Sequence, residues 1–354
     1  MASLRPPSQA ASAASESGAP PALERYRAEI EAELRRVLTE RGGQPYGLMR
    51  YHLGWENGAG LAIPASGGKL LRPALCLLCC EAAGGDRQAA LPAAAALELL
   101  HNFTLIHDDV EDASERRHGR ETLWSVRGMP QAINAGDGMF ALAHVALQGL
   151  LGRGHRPERA LAATRLLDEA ALRLCEGQHL DLAGSATSLE AYLAMIEGKT
   201  AALLAASCAI GALLAGAPED TVEALGEFGR RLGLAFQVRD DLLGIWGADA
   251  DTGKSAGDDL RAGKRSFPVV LALERASADE RVELLSLLDA GGLSDTGLGR
   301  ATALLERLGA HGAGERAAVE HAEAAVAALD GLDLQPERRD ELEALARFAA
   351  QRSA

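Results

Sequence analysis

The stretch LIHDDVEDASERRH, Leu105 to His118, joins an apolar run to a dense cluster of charges. It holds three aspartates, two glutamates and two arginines, and the apolar letters LELLHNFTLIH lead into it. Asp108 and Asp112 are four positions apart, so on a helix they share one face, and Asp109 flanks that face at about 100°. Bare carboxylates at this spacing repel one another and destabilise a helix, so a positive partner has to offset them.

A divalent metal ion is the natural partner for these aspartates. Mg²⁺ is a hard cation that binds carboxylate oxygens together with the phosphate oxygens of a substrate. Arg116, Arg117 and Arg120 follow the cluster and would supply fixed positive charge to a phosphate. A solvated acidic helix end would explain the aspartates taken alone. The apolar run before them favours a metal and diphosphate site at the mouth of an apolar cavity.

A second aspartate pair lies far downstream, in the letters AFQVRDDLLGIWG. Asp240 and Asp241 again end an apolar helical segment, and Gln237 precedes them by about one turn. The Gly-rich stretch DTGKSAGDDLRAGKRSFP follows and carries Lys254 and Lys264. Two separated groups of carboxylates, each followed by lysine or arginine, would hold metal ions and a diphosphate from two sides.

Composition limits the class of protein. The chain has 354 residues, 47% of them hydrophobic and 4% aromatic, so it can bury a large core, and its alanine and leucine favour helix. A net charge of -14 argues against nucleic acid or an anionic membrane surface as the main partner. Five cysteines without zinc spacing indicate a reducing compartment, the cytoplasm. Because no run of about 18 uncharged apolar residues exists, no spanning helix or stable membrane anchor is expected.

The patterns along the chain predict one domain. Residues 1–21 are Ala/Ser/Pro-rich and are predicted to be a disordered tail, and residues 22–354 are predicted to form the domain. A helical pattern starts at Ala22, and the Gly-rich stretch 51–69 is interpreted as a loop. No segment shows convincing strand alternation, so the prediction is an all-α, single-domain bundle of ten or more helices. The later helices are expected at roughly 69–83, 88–108, 130–152, 158–181, 188–215, 219–244, 267–275, 279–288, 296–310, 313–329 and 336–351.

Several motifs occur together in a fixed order: GGKLLRP at 67–73, HNFTLIHDDVED, GQHLDL at 177–182, GKTAALL at 198–204 and FQVRDDLLG. In this order they resemble the motifs of trans-isoprenyl diphosphate synthases, the polyprenyl synthetase family. The resemblance covers about residues 23–350 and is specific because the motifs occur jointly. It implies the type I isoprenoid synthase fold, in which the helices surround a central cavity, and it implies a homodimer.

The resemblance also implies a reaction. Isopentenyl diphosphate would be condensed head to tail (1′-4) with an allylic diphosphate, which is dimethylallyl, geranyl or farnesyl diphosphate. The allylic C–O bond would ionise, and Mg²⁺ and lysines would stabilise the departing diphosphate. The double bond of isopentenyl diphosphate would then attack the carbocation, which an apolar cavity has to keep from water. No protein base is evident in the sequence, so the proton is expected to leave to the departing diphosphate.

Individual roles follow from the positions that match the family motifs. The diphosphate of isopentenyl diphosphate would be bound by Lys69 and Arg72 with His101. The ligands of about three Mg²⁺ ions per site would be Asp108, Asp109, Asp112, Asp240 and Asp241. The phosphate oxygens of the allylic substrate would be neutralised by Arg117, Lys199, Lys254 and Lys264. The developing positive charge on the reacting carbons would be stabilised by Thr200 and Gln237.

Two positions depart from the family pattern. His118 stands where the resemblance leads us to expect an arginine that contacts isopentenyl diphosphate, and the charge of a histidine depends on pH near neutrality. Arg116 and Arg120 are the neighbours that would compensate. Gly244 stands where the second aspartate motif usually ends in aspartate, so metal binding from that side is expected to rest on the Asp-Asp pair before it.

Product length is expected to depend on the helix before the first aspartates. An α-helix rises about 5.4 Å per turn, close to one isoprene unit, so each bulky residue one turn upstream removes about one unit. Phe103 lies five positions before Asp108, Thr104 lies four before it, and a deeper floor would be formed by Leu100. This pattern, without an insertion in DDVED, resembles synthases that make geranylgeranyl diphosphate. We therefore predict a C20 product, with C15 (farnesyl) and C25 as alternatives, unless Phe103 points into a helix contact and sets nothing.

Three other functions stay open on the sequence alone. A class I terpene cyclase would ionise the same kind of substrate, but it would carry an Asn/Ser/Glu metal motif and would not need Lys69 and Arg72. A non-catalytic helical partner subunit of a heteromeric synthase tends to lose an aspartate cluster, whereas this chain keeps both. An all-helical interaction protein with acidic surfaces would show no Mg²⁺-dependent binding of diphosphates.

Overall fold

The computed structural model describes residues 21–39, 41–63, 68–117, 119–247, 257–289 and 292–352. Regular structure in these ranges is almost entirely helical, which confirms the predicted all-α class. The helices are α1 (Pro21–Glu24), α2 (Arg27–Thr39), α3 (Gln44–His52), α4 (Leu71–Ala82), α5 (Arg87–Glu111), α6 (Leu123–Arg127), α7 (Met129–Gly152), α8 (Pro157–Leu182), α9 (Leu189–Ile196), α10 (Ala202–Ala215), α11 (Glu219–Trp246), α12 (Asp258–Arg261), α13 (Phe267–Arg275), α14 (Ala278–Leu288), α15 (Asp295–Arg307), α16 (Ala310–Ala327) and α17 (Pro336–Gln351). A π-helix, Glu197–Ala201, lies between α9 and α10, and an antiparallel hairpin consists of β1 (Arg116–Arg117) and β2 (Arg120–Glu121).

Local signals explain how α5 delivers its charged end. Asp86 caps the helix by accepting a hydrogen bond from the Gln88 N–H, and the helix then runs for 25 residues to Glu111. Its first two-thirds consist largely of buried alanine and leucine, so neighbouring helices can approach closely. Because this apolar part of α5 is buried between other helices, the direction of the helix is fixed. The aspartates of its last turn therefore lie at one end of the bundle.

Helix α5 runs through the centre of the bundle, packed along α7 and against α4 and α10. Helix α10 in turn packs against α4 and α11, and α11 packs on α16. A Cβ on Gly211 would lie 2.2 Å from the carbonyl oxygen of Cys76, so the α4–α10 contact requires glycine at that position. The cysteines Cys76, Cys79, Cys80 and Cys208 are buried in the bundle, as expected for small packing residues, and Cys175 is exposed.

The helix boundaries differ from expectation at a few places. The segment Gln44–His52 is helical although its pattern did not predict a helix, and the hairpin that carries Arg117 was not predicted either. The helices expected at 296–310 and 313–329 each end two or three residues earlier than expected, at Arg307 and Ala327. The first of these breaks is set by Gly309, whose φ of 69° glycine adopts without a steric penalty.

The predicted division into a tail and one domain stays a prediction. Residues 1–20 lie outside the described residues, and Pro21, assigned to the tail from the sequence, begins α1. The helical pattern from Ala22 is interrupted by a turn at residues 25–26, after which α2 continues to Thr39.

Two helical stretches of the described chain are long and apolar enough to cross a membrane by length and composition. These are Arg87–Glu111 and Leu189–Ala215, and 78% and 67% of their apolar windows are buried inside the protein. A central helix of a helical bundle has the same composition because it contacts other helices on most sides. Burial in the core therefore accounts for both stretches without a membrane.

Candidate active site

The last turn of α5 holds the first aspartate cluster, in which Asp109 is the buried member. Only 2% of its side chain is exposed, and its Oδ1 accepts a 2.8 Å hydrogen bond from Nε of Arg117. Burial raises the pKa of Asp109, while the Arg117 guanidinium lowers it. No donor in the described part of the chain reaches the buried Oδ2 of the same carboxylate. Asp109 therefore orients Arg117 and keeps one oxygen available to a ligand.

Asp108 and Asp112 present more accessible oxygens. Asp108 is partly buried, and this burial raises the pKa of its carboxyl to about 6, although Lys199 and Arg117 lower it. Asp112 follows the last helical residue and is exposed. Because these two aspartates lie one helical turn apart on one face, they can bind a cation from the same side.

The hairpin after α5 carries the arginines of the first motif. Arg117 and Arg120 face each other in its antiparallel register. Arg120 donates from Nη2 to the carbonyl oxygen of Tyr51 at 2.6 Å, and its guanidinium lies 4.8 Å from the centre of the Tyr51 ring. Arg116 is exposed and donates to a backbone carbonyl of its own turn. His118 lies outside the described residues. Of the two predicted compensating arginines, Arg120 is the better placed, because Arg116 is exposed and bonded within its own turn.

Asp241, near the end of α11, has a carboxylate that is fully engaged by protein donors. Its side chain is 1% exposed, and Oδ2 accepts hydrogen bonds from the Tyr192 hydroxyl and, at 2.8 Å, from the Phe267 N–H. Its Oδ1 accepts a 3.0 Å hydrogen bond from Nε2 of Gln237. Burial raises the pKa of Asp241, and Lys264, at 3.9 Å, lowers it together with these donors. Its position favours an anchoring role over direct metal binding.

Asp240, the adjacent residue, is in the opposite environment. Its side chain is 53% exposed, and Oδ1 accepts a 2.8 Å hydrogen bond from Nη2 of Arg352, which comes from the end of the chain. On a helix, neighbouring side chains differ in direction by about 100°, and this rotation separates the exposed aspartate from the buried one. Asp240 is therefore the member of the pair that can reach a metal ion.

The π-helix Glu197–Ala201 presents two of the predicted catalytic residues. Thr200 donates from Oγ1 to Oε1 of Gln237 at 2.9 Å, and Lys199 donates from Nζ to Asp181 at 2.6 Å. A single wide turn of this kind shifts side chains out of the ordinary helical order and is frequent at functional sites. The structure thus places Thr200 and Gln237 in direct contact, and their shared catalytic role stays a prediction.

Glycines of two sequence motifs are explained by a backbone contact. A Cβ on Gly177 would lie 2.2 Å from the backbone nitrogen of Lys199, and one on Gly198 would lie 2.7 Å from the carbonyl oxygen of Arg173. Helix α8 and the π-helix therefore touch main chain to main chain. This close approach brings Asp181 within hydrogen-bonding distance of Lys199.

A cavity of about 490 Å³ opens beside the buried face of the first cluster. The predicted isopentenyl diphosphate ligands Lys69, Arg72 and His101 all line it, and so do Arg117 and Arg120. Its wall also includes Asp109, Thr200, Leu204 and Phe236. The structure therefore brings side chains of four separate sequence motifs to one cavity. It is called the cationic cavity below for its lysine and arginines, although Glu31, Glu98 and Glu121 also line it.

The cations of this cavity are partly desolvated. Burial lowers the pKa of Arg72 to about 10, although the carboxylate of Glu98 raises it. Burial also lowers the pKa of Lys69, and the nearby Arg352 lowers it further. Glu98 is buried, and its Oε1 accepts a 2.9 Å hydrogen bond from Asn102. Partly desolvated cations bind a diphosphate more strongly than solvated ones because water screens them less.

A second cavity, of about 260 Å³, lies on the other side of α5. Asp108 lines it together with the predicted chain-length residues Phe103 and Thr104. The Phe103 ring packs 5.3 Å from the ring of Phe140, so it also makes a helix contact. The third predicted chain-length residue, Leu100, is fully buried in the main core and lines neither cavity. Phe103 and Thr104 thus line a cavity with Asp108 and Leu100 does not, and the role of all three in chain length stays a prediction.

Two lysines complete the predicted site. Lys264 lies 3.7 Å from Asp259 and 3.9 Å from Asp241. Burial lowers the pKa of Lys264, but these carboxylates outweigh burial and raise it. Lys254 lies outside the described residues, so its role stays a prediction.

Sequence reasoning missed several side chains that contact the predicted site. These are Glu98, Tyr192, Asp259 and Arg352. Glu98 carried a usable signal, because an acid inside the apolar run LELL has to find a buried partner. Arg352 carried none, because its partner Asp240 is 112 positions away in the chain.

The donor set suits Mg²⁺ that arrives with a diphosphate. Among the described residues, no three histidine, cysteine, aspartate or glutamate side chains form a group that could hold a metal ion alone. Asp108, Asp112 and Asp240 nevertheless offer accessible carboxylate oxygens, and Asp109 keeps a buried oxygen without a partner. Mg²⁺ typically binds one or two carboxylates and completes its shell with water and substrate phosphate. The residues therefore fit this ion.

Comparison with known proteins identifies the family. The family model described as polyprenyl synthetase matches residues 57–301. The geranylgeranyl diphosphate synthase of Mycobacterium tuberculosis is 44% identical over 312 residues, which cover 87% of each chain. A (2E,6E)-farnesyl diphosphate synthase of Mycobacterium bovis is 42% identical over 265 residues, 73% of this chain and 72% of the relative.

A solved structure agrees with these relatives. The polyprenyl synthetase from Streptomyces coelicolor superimposes with a TM-score of 0.86 at 39% identity, covering 93% of this chain and 98% of that one. The protein therefore belongs to the polyprenyl synthetase family. It is a prenyltransferase with the all-α fold of isoprenyl synthases, and more closely a short-chain trans-prenyl diphosphate synthase. The terpene cyclase and the helical interaction protein thereby lose their support.

Proposed function

We propose that the protein condenses isopentenyl diphosphate with an allylic diphosphate in a Mg²⁺-dependent reaction and that its product is geranylgeranyl diphosphate (C20). The observation that carries this proposal is the division of the site by α5. Asp109 faces a cationic cavity on one side of the helix, and Asp108 faces a cavity with Phe103 on the other. One cavity suits the diphosphate of isopentenyl diphosphate, and the other suits the tail of the allylic substrate.

The cationic cavity binds isopentenyl diphosphate. Lys69 and Arg72 meet its phosphate oxygens together with His101, and the partly desolvated guanidinium of Arg72 provides the least screened charge. Arg120 lines the same cavity and supplies the charge that the family pattern places at position 118. The substrate is thereby oriented with its double bond toward the first aspartate cluster.

The carboxylates hold the allylic diphosphate through metal ions. Asp108, Asp112 and Asp240 would hold Mg²⁺, and the ion would supply positive charge to the departing diphosphate. Asp109 keeps Arg117 in place, and Asp241 anchors Gln237 and Lys264. The phosphate oxygens are also neutralised by Arg117, Lys199, Lys254 and Lys264.

The Thr200–Gln237 pair faces the reacting carbons. The allylic C–O bond breaks, its electron pair leaves with the diphosphate, and the carbocation is attacked by the double bond of isopentenyl diphosphate. The Gln237 amide, held by Thr200 and Asp241, presents its oxygen dipole to the positive charge. Leu204 and Phe236 exclude water nearby. The proton lost in forming the new double bond is taken by the diphosphate.

The assembly is a homodimer in the cytoplasm. Large apolar side chains are exposed along α7 and α8, which soluble monomers rarely leave uncovered over a long surface. They include Met129, Leu151, Leu161, Leu172 and Leu182, each at least half exposed. A second copy of the chain would bury this face. The partners are therefore the two diphosphate substrates and a second copy, without nucleic acid or a membrane anchor.

One experiment tests the reaction. The purified protein is incubated with Mg²⁺, labelled isopentenyl diphosphate and, in separate reactions, dimethylallyl, geranyl or farnesyl diphosphate, and the products are separated by chain length. A C20 diphosphate that disappears when Mg²⁺ is chelated is the expected result. A C15 or C25 product would correct the product length, and a non-catalytic partner subunit would give no product with any primer.

A further inference from the structure

Helix α11 contacts the π-helix Glu197–Ala201 beyond the Thr200–Gln237 pair. A Cβ on Gly233, one turn before Gln237 on α11, would lie 2.7 Å from Cα of Ala201. No side chain fits at that distance, so the two main chains touch there. The relative position of the two elements therefore depends on backbone contact, and a small shift of the π-helix would move Thr200 away from its partner.

An ion pair joins the same two elements at the start of the π-helix. Nη1 of Arg230, on α11, lies 2.9 Å from Oε2 of Glu197, the first residue of the wide turn. The Ala202 N–H donates a hydrogen bond to the carbonyl oxygen of Glu197, five residues before it, and this bond closes the turn. Glu197 therefore belongs to the wide turn through its backbone, and its side chain fixes that turn to α11.

Arg230 is oriented by a second carboxylate, which lies on its own helix. Its Nε and Nη2 donate to the two oxygens of Glu227 at 2.6 and 2.7 Å. Because a guanidinium is planar, this two-point contact fixes the direction in which Nη1 points. The hydrogen bonds from Arg230, together with Arg231, lower the pKa of Glu227 to about 2, although burial raises it. Glu227 is therefore charged near neutral pH and holds Arg230 aimed at the π-helix.

The ion pair is open enough to water that its main effect is on geometry. The side chain of Arg230 is 26% exposed, and that of Glu197 is 35% exposed. Ion pairs of this exposure add little to the free energy of unfolding, because water screens them. A wide turn, however, is a local irregularity, and its side chains change their order when it relaxes to an ordinary helix. A contact at its first residue therefore controls the turn without controlling the fold.

We propose that Arg230 is a positioning residue for the condensation, acting through Glu197 to keep Thr200 against Gln237. This inference rests on the proposed function, because only that reaction brings reacting carbons to the Thr200–Gln237 pair. Arg230 itself lines neither of the cavities beside α5, so it does not meet a substrate there. Lys199 is held separately, by a 2.6 Å hydrogen bond to a carboxylate of α8. Loss of the ion pair therefore acts on the chemical step more than on substrate binding.

Steady-state kinetics of neutral variants test the inference. Arg230→Gln and Glu197→Gln are each expected to lower kcat about tenfold, while the KM for both substrates stays within about threefold. The double variant should be no slower than the single ones, because the two residues share one interaction. Arg231→Gln is the matched control, since Arg231 also bonds Glu227, at 2.7 Å, and it is expected to keep the kcat of the wild type. Unchanged kcat in Arg230→Gln would overturn the inference.

Two further measurements separate positioning from general stability. In a Thr200→Val background, Arg230→Gln is expected to lower kcat by less than about twofold, because its route of action is already removed. A full loss in that background would overturn the inference. Hydrogen–deuterium exchange of the amides at 197–202 should be faster in Arg230→Gln but not in Arg231→Gln, with unchanged melting temperatures. A wild type that forms no product would contradict the proposed function, whereas unchanged exchange in Arg230→Gln would refute the positioning contact itself.

Discussion

Nη2 of Arg352 lies 2.8 Å from Oδ1 of Asp240, so the end of the chain contacts the exposed aspartate of the second cluster. The Arg352 side chain is 4% exposed, and its guanidinium lies 3.7 Å from the centre of the Phe236 ring. Phe236 lines the cationic cavity, and so does Lys69. The pKa of Lys69 is lowered mainly by burial and also by the positive charge of Arg352. Arg352 thereby contributes to the electrostatics at Asp240 and at Lys69, which belong to the sites proposed for the two substrates.

Replacing Arg352 by alanine should weaken the binding of isopentenyl diphosphate. The change removes a buried positive charge near Lys69, so the KM for isopentenyl diphosphate is expected to rise about tenfold, with a smaller change in kcat. Loss of the contact with Phe236 should lower the free energy of unfolding by about 1–2 kcal/mol. Steady-state kinetics and urea denaturation measure the two effects. Arg352→Lys, which keeps the charge, is the control, and an unchanged KM in Arg352→Ala would contradict the prediction.

The adjacent aspartates of α11 should respond differently to the same substitution. Asp241→Asn replaces one of two acceptor oxygens by an NH2 donor, although both oxygens accept hydrogen bonds, from Tyr192, Phe267 and Gln237, so the free energy of unfolding is expected to fall by about 2–4 kcal/mol. Asp240→Asn should leave stability nearly unchanged, because Asp240 is exposed, but should reduce Mg²⁺-dependent pyrophosphate binding about tenfold. Denaturation curves measure the free energy of unfolding of both variants, and isothermal titration calorimetry measures their binding of pyrophosphate in the presence of Mg²⁺. Equal loss of stability in the two variants would contradict the assignment of an anchor and a ligand.

Product length should change with the side chains of the second cavity. Phe103→Ala opens the floor of that cavity and is expected to shift the main product from C20 to longer chains, by about one isoprene unit or more. Thr104→Phe narrows the cavity closer to Asp108 and should shorten the product. Leu100→Ala is the control, because Leu100 is buried in the core away from both cavities. Products are read by mass spectrometry, and an unchanged spectrum in Phe103→Ala would remove Phe103 from this role.

Glu98 should act as a positioning residue for Arg72. Its buried carboxylate raises the pKa of Arg72, which burial alone would lower further, and thus favours the charged guanidinium. Glu98→Gln is expected to raise the KM for isopentenyl diphosphate about tenfold while kcat stays within about twofold. An equal loss in kcat and kcat/KM would point to a structural defect instead.

His144 should make the stability of the α7–α8 contact depend on pH. Burial lowers the pKa of His144, but hydrogen bonds to the Phe140 carbonyl (3.0 Å) and to Asp168 (2.6 Å) outweigh burial and raise it above 6.5. Both partners accept, so the doubly protonated ring fits both contacts. Its stabilisation is therefore complete below the pKa of the unfolded chain and is lost as the pH rises through the raised folded pKa.

Thermal denaturation of the wild type and of His144→Gln measures this effect. The wild type should be the more stable protein at about pH 5.5, and the difference should shrink at about pH 8.5. Asp168→Asn should remove most of the dependence, because it removes the charged acceptor. A difference that stays the same at both pH values would mean that the histidine does not titrate in this range.

Much of the site could be predicted because its signals are local. The spacing of Asp108 and Asp112 places both on one helical face, and the apolar run before them predicts a buried shaft with a charged end. The all-α class followed from the same periodicity. The helix over Gln44–His52 was missed because proline and glycine dominate its surroundings, and tertiary contacts decide such short segments.

The π-helix and the hairpin could not be predicted from the sequence for a related reason. The wide turn at Glu197–Ala201 is formed where Gly177 and Gly198 let two main chains touch, and this contact joins residues of different helices. The hairpin that aims Arg117 and Arg120 has two residues per strand, too short to show any alternation. Both features position predicted side chains, although neither has a pattern of its own.

The sequence by itself determined which residue types gather at the site and that helices carry them. Only the tertiary structure decided what each one does, as the neighbours Asp240 and Asp241 demonstrate. Identical in the sequence, they differ because Tyr192 and Phe267 surround one while the other stays exposed. The tertiary structure also set Asp259 in the space beside Gly244. Burial, pairing and charge depend on residues distant in the chain, whereas helical periodicity depends only on residues a few positions apart.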